Sequence, residues 1–348
     1  MRGLDLFSGP GGMTLGFKRA GISPIACVEF KKDAIETYSG HTPDAEHYHS
    51  DVRKVSFEKY RDKIDVVYGG PPCQPFSTGG LRKAIDDPRN MFPEFIRAVQ
   101  ETRPSAFVAE NVPGLTTKSR MGYLNEILNS LKEVGYNVSW RLLYAPDYGV
   151  PQKRKRIFIV GFRKGNFWFP KPTHGPNTEK SYRNAGDFIS HTPLGEPPEC
   201  PVVFAKFPDP RRSPYAGHVY NGGGRPIDLN APCHTILAAA GGYKTHWIDT
   251  LGIAPKYNAH LWDGGKPWEG EVPGARRMTV EESAIIQTFP RDMKFFGARS
   301  SQFRQVGDAV PPDLAFVVSN AVVQQLNGSS VSDETHLTSN DFLPLLAV

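Results

Sequence analysis

Cys73 stands inside Gly69-Gly70-Pro71-Pro72-Cys73-Gln74-Pro75-Phe76-Ser77, directly after the apolar run Ile64–Tyr68. An apolar run that ends in small residues reads as a buried parallel strand whose C-terminal end opens onto a cleft, and open α/β sheets bind ligands at that edge. Pro71, Pro72 and Pro75 each fix a backbone φ, so the thiol has little conformational freedom. A lone cysteine in a turn is commonly just a small buried side chain. One held stiffly at a sheet edge is also placed to be a nucleophile. Glu110, in Glu110-Asn111-Val112, ends the next apolar run, so neighbouring strands would bring it to the same cleft. Burying a charge is costly, which leaves a purely structural carboxyl there poorly explained. As an acid catalyst it makes sense, because burial raises a carboxyl pKa. Gln152-Lys153-Arg154-Lys155-Arg156 leads into a further strand. Alternation on an extended segment puts Gln152, Arg154 and Arg156 on one face and Lys153 and Lys155 on the other. A guanidinium suits a planar carbonyl or a phosphate oxygen.

A second set of residues describes a small ligand. Asp5-Leu6-Phe7-Ser8-Gly9-Pro10-Gly11-Gly12 follows the first apolar run and opens the first helix. Glycines there let a ligand approach the backbone, and the helix start offers free N–H groups to an anion. Gly9 and Gly11 fit a dinucleotide fingerprint, but Thr14 takes the third glycine position. Glu29, ending the second run, suits a pair of ribose hydroxyls. Asp51, ending the third, suits an adenine amino group. Each alone reads as a solvated loop acid; together they describe a nucleoside carrying an anionic group, without a pyrophosphate.

The elements that must position these residues follow from the apolar pattern. Gly3–Phe7, Pro24–Phe30, His47–Val52, Ile64–Tyr68 and Ala106–Glu110 read as strands, and Met13–Ala20, Lys32–Ser39, Phe92–Glu101 and Tyr123–Val134 as helices. This alternation predicts an α/β chain with a doubly wound sheet. Asn137–Tyr144 and Arg156–Phe162 read as a hairpin with a long basic tip, which makes the sheet mixed. Residues 164–275 are rich in Pro, Gly and aromatics and poor in helical periodicity, so a smaller unit of irregular β structure and long loops is expected. Helical pattern returns at Thr279–Gln287, with Thr279 and Glu282 as a capping box. A last helix, Asp313–Leu326, follows Pro311-Pro312. Residues 327–348 read as a polar tail.

Composition narrows the class. The four cysteines, Cys27, Cys73, Cys200 and Cys233, are widely spaced with no C-x-x-C pair. This argues against a zinc site or a disulfide framework and for a reducing compartment. No signal peptide and no run long enough for a bilayer are visible, so a cytoplasmic protein without a membrane partner is expected. Net charge is +5. Between Gln152 and Thr178 lie seven basic residues and no acid. That is either a solvated face or the footprint of a phosphate backbone.

With these motifs in this order, the chain resembles the DNA (cytosine-5) methyltransferases of prokaryotic restriction-modification systems, which depend on S-adenosylmethionine. The resemblance rests on Phe-Ser-Gly-Pro-Gly-Gly, Pro-Cys-Gln, Glu-Asn-Val and Gln-x-Arg-x-Arg. It continues with Thr235-Ile236 before Gly241-Gly242, Arg276-Arg277-Met278-Thr279 to Phe289-Pro290, and Gln305-Val306-Gly307-Asp308-Ala309-Val310-Pro311-Pro312. It spans Leu4 to about Leu326. It implies a Rossmann-like methyltransferase fold in which 1–163 form the catalytic and cofactor domain, 164–275 recognise the target and 276–326 return to the catalytic domain.

The resemblance further implies that Cys73 attacks carbon 6 of a flipped-out cytosine in double-stranded DNA. Glu110 would hold the amino group and ring nitrogen 3, and Arg156 with Arg154 the carbonyl at carbon 2 or the adjacent phosphate. Phe7, Ser8, Gly9, Gly11, Gly12, Glu29, Asp51, Val52, Pro71, Met91, Asp308 and Ala309 would line the cofactor site. Asp308 departs from the asparagine common in the family. Gln74, Ser77, Arg82, Gln152, Arg211, Arg212, Arg225, Thr235 and Lys244 are the candidate DNA contacts, with His246 beside them. Gln74–Lys83, with Gly79 and Gly80, is the segment expected to close over the base, and residues 78–89 are expected to move on DNA binding. No metal is implied; a monomer is, acting in the nucleoid, with a restriction endonuclease as functional partner. A cytosine-5 RNA methyltransferase, which would lack duplex-reading loops, and an inactive DNA-binding regulator are the alternatives. Amino-group methylation needs no cysteine, and a dehydrogenase leaves Cys73, Glu110 and Arg156 without purpose.

Overall fold

The computed structural model describes residues 1–72 and 89–328. The chain divides into two compact units. Among the described residues, the first takes in 1–72, 89–144, 155–172 and 314–328; the second takes in 145–154 and 173–313.

The first unit is built on β1 (Arg2–Leu6), α1 (Gly12–Arg19), β2 (Ser23–Glu29), α2 (Lys32–Ser39), β3 (Glu46–His49), β4 (Val66–Gly69), α3 (Phe92–Thr102), β5 (Ala106–Asn111), α4 (Met121–Glu133), β6 (Asn137–Tyr144) and β7 (Lys155–Phe162). The strands form one sheet in the order β3-β2-β1-β4-β5-β7-β6. Neighbours from β3 to β5 run parallel, and β7 runs antiparallel to both β5 and β6. The fold is therefore α/β with a doubly wound mixed sheet, as expected. Strands β4 and β5 are buried at every residue, which is why they read as unbroken apolar runs. The core packs Leu4, Val67, Phe95, Phe107, Leu124 and Ile159 between sheet and helices. The chain leaves β1 toward β3 on one side and returns to β4 on the other. The β1/β4 boundary is thus the switch point at which such sheets open a crevice. The expected strand His47–Val52 stops at His49, because Asp51 accepts the Arg53 N–H and turns the chain into a short 3₁₀ helix, Val52–Lys54.

The second unit carries two small antiparallel sheets, β8 (Phe204–Pro210) with β9 (Gly217–Tyr220) and β10 (Trp247–Asp249) with β11 (Ala275–Arg277). It also holds helices α5 (Ile253–Trp262), α6 (Val280–Ile286) and α7 (Arg299–Asp308). The capping box at α6 forms as expected, with both Thr279 and Glu282 bonds present. Helix α5 falls in a stretch expected to lack helix. Its cap is distant: Asp249 Oδ2 accepts the Ala254 N–H at 2.7 Å, while Gly252 turns the chain at φ 66°. The last helix, α8 (Pro312–Leu326), carries Leu314, Val318 and Val322 fully buried. It lies on α1, where Ser319 donates to the Gly16 carbonyl at 3.3 Å and the Arg19 guanidinium sits 4.5 Å from the Phe316 ring centre. Contrary to expectation, Arg299–Leu326 is long and apolar enough by composition to cross a membrane, but 67% of its most apolar window is buried inside the protein.

Candidate active site

The loop after β1 is shaped by backbone conformations that few residues adopt. Phe7 has φ 58° and Gly11 φ 92°. A Cβ on Gly11 would lie 2.5 Å from the His41 ring, so only glycine fits. His41 Nε2 in turn bonds the Pro10 carbonyl at 2.8 Å. The Ser8 N–H donates to the Val28 carbonyl at 3.2 Å, and the Gly11 N–H to that of Ser8 at 3.0 Å. Helix α1 begins with no side-chain cap and no acid in its first turn. Thr14, which breaks the dinucleotide fingerprint, has its own role. Its hydroxyl donates to Asp5 Oδ2 at 2.6 Å and lies 2.9 and 2.7 Å from the hydroxyls of Tyr38 and Tyr68. Burial pushes the Asp5 carboxyl well above the usual carboxylate range.

Glu29 ends β2, and Asp51 follows β3 as the cap of the 3₁₀ helix Val52–Lys54. Glu29 is 8% exposed at the end of β2. Its Oε2 accepts the Gly9 N–H at 2.8 Å and its Oε1 the Lys31 N–H at 2.7 Å. The carboxylate is thus fixed in place, and each oxygen keeps capacity for a hydroxyl donor. Asp51 accepts the Arg53 N–H at 3.0 Å and pairs with the Arg53 guanidinium, whose hydrogen bonds hold its carboxyl down at about 2. Val52 is buried beneath it. These features fit S-adenosylmethionine: an uncapped helix start and glycine cradle for an anionic end, and two fixed carboxylates at adjacent strand ends for a nucleoside.

The other side of the switch point brings β4 and β5 together. A Cβ on Gly69 would lie 1.9 Å from the Leu6 carbonyl oxygen, so β1 and β4 approach closely only because that residue is glycine. Pro71 is buried and its carbonyl accepts from Asn111 Nδ2 at 2.9 Å; the Pro72 carbonyl accepts the Met91 N–H at 3.1 Å. Met91 packs on the main core. At the end of β5, Glu110 Oε1 lies 2.7 Å from Arg156 Nε, and both side chains are about nine-tenths enclosed, at 10% and 11% exposure. A Cβ on Gly70 would sit 3.1 Å from Glu110 Oε2. The carboxylate therefore stands against the segment that leads into Cys73. Cys73, Gln74, Ser77 and Arg82, the whole closing segment Gln74–Lys83 and all but the last of residues 78–89 lie outside the described residues.

Gln152 and Arg154 reach the same neighbours, around Ile236, whereas Arg156 pairs with Glu110. The Gln152 N–H bonds the Val150 carbonyl and the Arg154 N–H the Gln152 carbonyl, both at 2.8 Å. These are two successive two-residue turns. Gln152 is buried, donating to Gln287 Oε1 at 2.9 Å and accepting the Ile236 N–H at 3.1 Å. Arg154 is 0% exposed. Its Nη2 donates to the carbonyls of Gly307 and Ala309 at 2.8 and 2.9 Å, and its Nη1 to that of Ile236 at 3.2 Å. Both residues clamp the second unit, and neither offers a polar surface to a substrate. Asp308 is exposed at the end of α7 and Ala309 buried after it, both in the second unit.

Of the candidate DNA contacts, Arg212 and Lys244 are exposed and Arg225 is half-buried. Arg211 is exposed and paired with Asp209 at 2.8 Å. The Thr235 hydroxyl donates to the Lys153 carbonyl at 2.5 Å. His246 is no contact: it is 6% exposed, and its Nδ1 accepts the Arg225 N–H at 3.1 Å. That bond leaves Nε2 as the protonated nitrogen toward the Thr235 carbonyl at 3.1 Å. Burial pushes this imidazole down to about 4, so it is neutral. Phe30, which was not among the sequence candidates, directly follows Glu29 and is 72% exposed.

The model of the family described as C-5 cytosine-specific DNA methylase matches residues 1–199 and 234–324. The chain is 36% identical over 333 residues to Type II methyltransferase M1.HphI of Haemophilus parahaemolyticus, covering 92% of this chain and 86% of that one. It is 32% identical over 339 residues to Type II methyltransferase M.NgoPII of Neisseria gonorrhoeae, covering 94% and 96%. Among solved structures it is similar to the Dnmt2 methyltransferase of S. pombe, with TM-score 0.66, 16% identity and coverage of 94% and 99%. It is likewise similar to the methyltransferase EhMeth of Entamoeba histolytica, with TM-score 0.66, 15% identity and coverage of 94% and 98%. At that identity the two structures speak to the fold, which is shared across both chains. The chain belongs to the C-5 cytosine-specific DNA methylase family. It is a DNA (cytosine-5) methyltransferase, and its methyl donor is S-adenosylmethionine.

Proposed function

We propose that the protein methylates one cytosine within a specific double-stranded DNA sequence through a covalent bond from Cys73, and that it protects DNA from a cognate endonuclease. The observation that carries this reading is the buried Glu110–Arg156 pair at 2.7 Å, set against the Gly70–Pro72 segment that runs into Cys73. Carbon 5 of cytosine is a poor nucleophile. Addition of the Cys73 thiolate to carbon 6 turns the ring into an enamine, splitting one hard step into two. Glu110 holds the exocyclic amino group and delivers a proton to ring nitrogen 3 as electron density arrives there. Arg156 fixes that carboxylate and meets the carbonyl at carbon 2. S-Adenosylmethionine, when bound, supplies an electrophilic methyl group, held by the Phe7–Gly12 loop, Glu29 and Asp51 with Phe30, Val52, Pro71 and Met91 around it. After carbon 5 is methylated, loss of its proton expels Cys73 and restores the ring. A stacked base is out of reach, so the target is extruded from the duplex.

In this reading residues 164–275 carry target recognition, the enzyme acts as a monomer and it works in the cytoplasm where the DNA lies. Incubation of plasmid DNA with the protein and methyl-labelled cofactor, followed by bisulfite sequencing, tests it. Label in 5-methylcytosine at one recurring sequence is expected. Label on an amino nitrogen, or at scattered cytosines, would contradict it.

A further inference from the structure

Phe207 is 84% exposed, although it sits in a paired strand. The pairing explains how. β8 meets β9 at Phe204↔Tyr220 and again at Asp209↔His218, so the four residues Ala205–Pro208 stand opposite Val219 alone. Such a bulge turns side chains away from the ladder. Its base is rigid: Val219 is 1% exposed, and the Phe204 ring lies 4.7 Å from that of Tyr257 in the unit's aromatic core. The Lys206 ammonium sits 5.7 Å from the Phe207 ring centre. The ribbon also presents Arg211 and Arg212, against a single acid, Asp209, which holds Arg211. The family match stops at residue 199 and resumes at 234. The ribbon falls wholly inside that gap, outside the residues the family model matches.

We propose that the β8–β9 ribbon is a DNA-reading element, with the Phe207 ring against the base edges of the major groove and Lys206 and Arg212 on flanking phosphates. A two-stranded ribbon fits the major groove. An apolar ring held out of the core by a bulge, flanked by cations, matches a base beside phosphates better than it matches a protein surface. The inference rests on the site-specific reading above and adds the residues that read.

The test uses a duplex carrying the sequence that bisulfite sequencing finds methylated, titrated by fluorescence anisotropy. Phe207→Ala raises the DNA Kd and KM about tenfold, as loss of one base-edge contact does. kcat, melting temperature and cofactor affinity stay unchanged, and Phe207→Trp restores binding. Lys206→Ala and Arg212→Ala each lower the slope of log K against log salt by about one. Unchanged DNA affinity and an unchanged methylation profile in Phe207→Ala overturn the proposal. So does a variant that alters only the sedimenting mass, which would make the ribbon a protein interface. Should the wild type leave no methylcytosine in plasmid, the site-specific reading fails; anisotropy on plasmid-derived duplex still decides the ribbon.

Discussion

Arg154 and Arg156 are two residues apart, yet they serve different units by opposite logic. Arg156, in the first unit, faces a carboxylate and shares a nearly closed site with it. Arg154, in the second, donates to three backbone carbonyls and sees no solvent. The first unit sets charged groups at strand ends, where a ligand can reach them. The second uses buried polar side chains such as Arg154, Gln152, Gln287 and Arg277 to knit irregular loops, in place of regular ladders. A unit with little sheet must satisfy its carbonyls by side chains. Arginine in such a unit is therefore weak evidence of a substrate contact.

Substitutions sharpen this contrast. The largest effect falls on Cys73→Ala, which should abolish turnover while leaving cofactor binding near normal by calorimetry; substantial residual turnover would refute covalent catalysis. Glu110→Gln removes the transferable proton and should lower kcat by about 10²–10⁴-fold, with little change in melting temperature. Arg156→Lys should follow the same pattern more weakly. Arg154→Leu should do the reverse, costing at least about 3 kcal/mol of stability by denaturant titration as buried carbonyls lose charged donors. If Arg154→Leu melted like wild type and lost activity, the division between the two arginines would be wrong.

Smaller effects separate the units further. His246 is held near 4 in the folded second unit and returns to about 6.5 when unfolded. The unfolded state then binds more protons, so stability falls as pH drops from about 6.5 to 4, by at most ~3 kcal/mol. His246→Gln should flatten that part of the pH–stability curve; a curve as steep as that of wild type would assign it to other groups, His234 first. Phe30→Ala, in the first unit, should weaken cofactor binding about two- to tenfold and leave DNA affinity unchanged. Equal cofactor affinity would remove Phe30 from the site.

The same contrast explains what the sequence made legible. Strands buried on both faces, such as β4 and β5, announce themselves as apolar runs, so Glu110 could be placed from pattern; β3 has no buried residue, and Asp51 follows its end. Thr14 looked like a defect in a fingerprint; only the folded chain puts Asp5, Tyr38 and Tyr68 around its hydroxyl. Helix α5 was hidden because its cap comes from Asp249, outside the helical pattern. Helix α7 was hidden because its buried face is little more than Phe303, Val306 and Gly307 within a polar stretch. Arg154 was misplaced because spacing cannot tell a guanidinium that meets a substrate from one that satisfies buried carbonyls, as those of Ile236, Gly307 and Ala309 are here.

The most direct measurement uses a duplex with 5-fluorocytosine at the modified position, incubated with enzyme and S-adenosylmethionine and read by mass spectrometry. Fluorine cannot leave carbon 5 as a proton does, so the methylated base should stay bonded to Cys73 as a stable protein–DNA adduct, absent in Cys73→Ala. An active preparation that forms no adduct, or one that forms it equally well without the Cys73 thiol, would contradict the account.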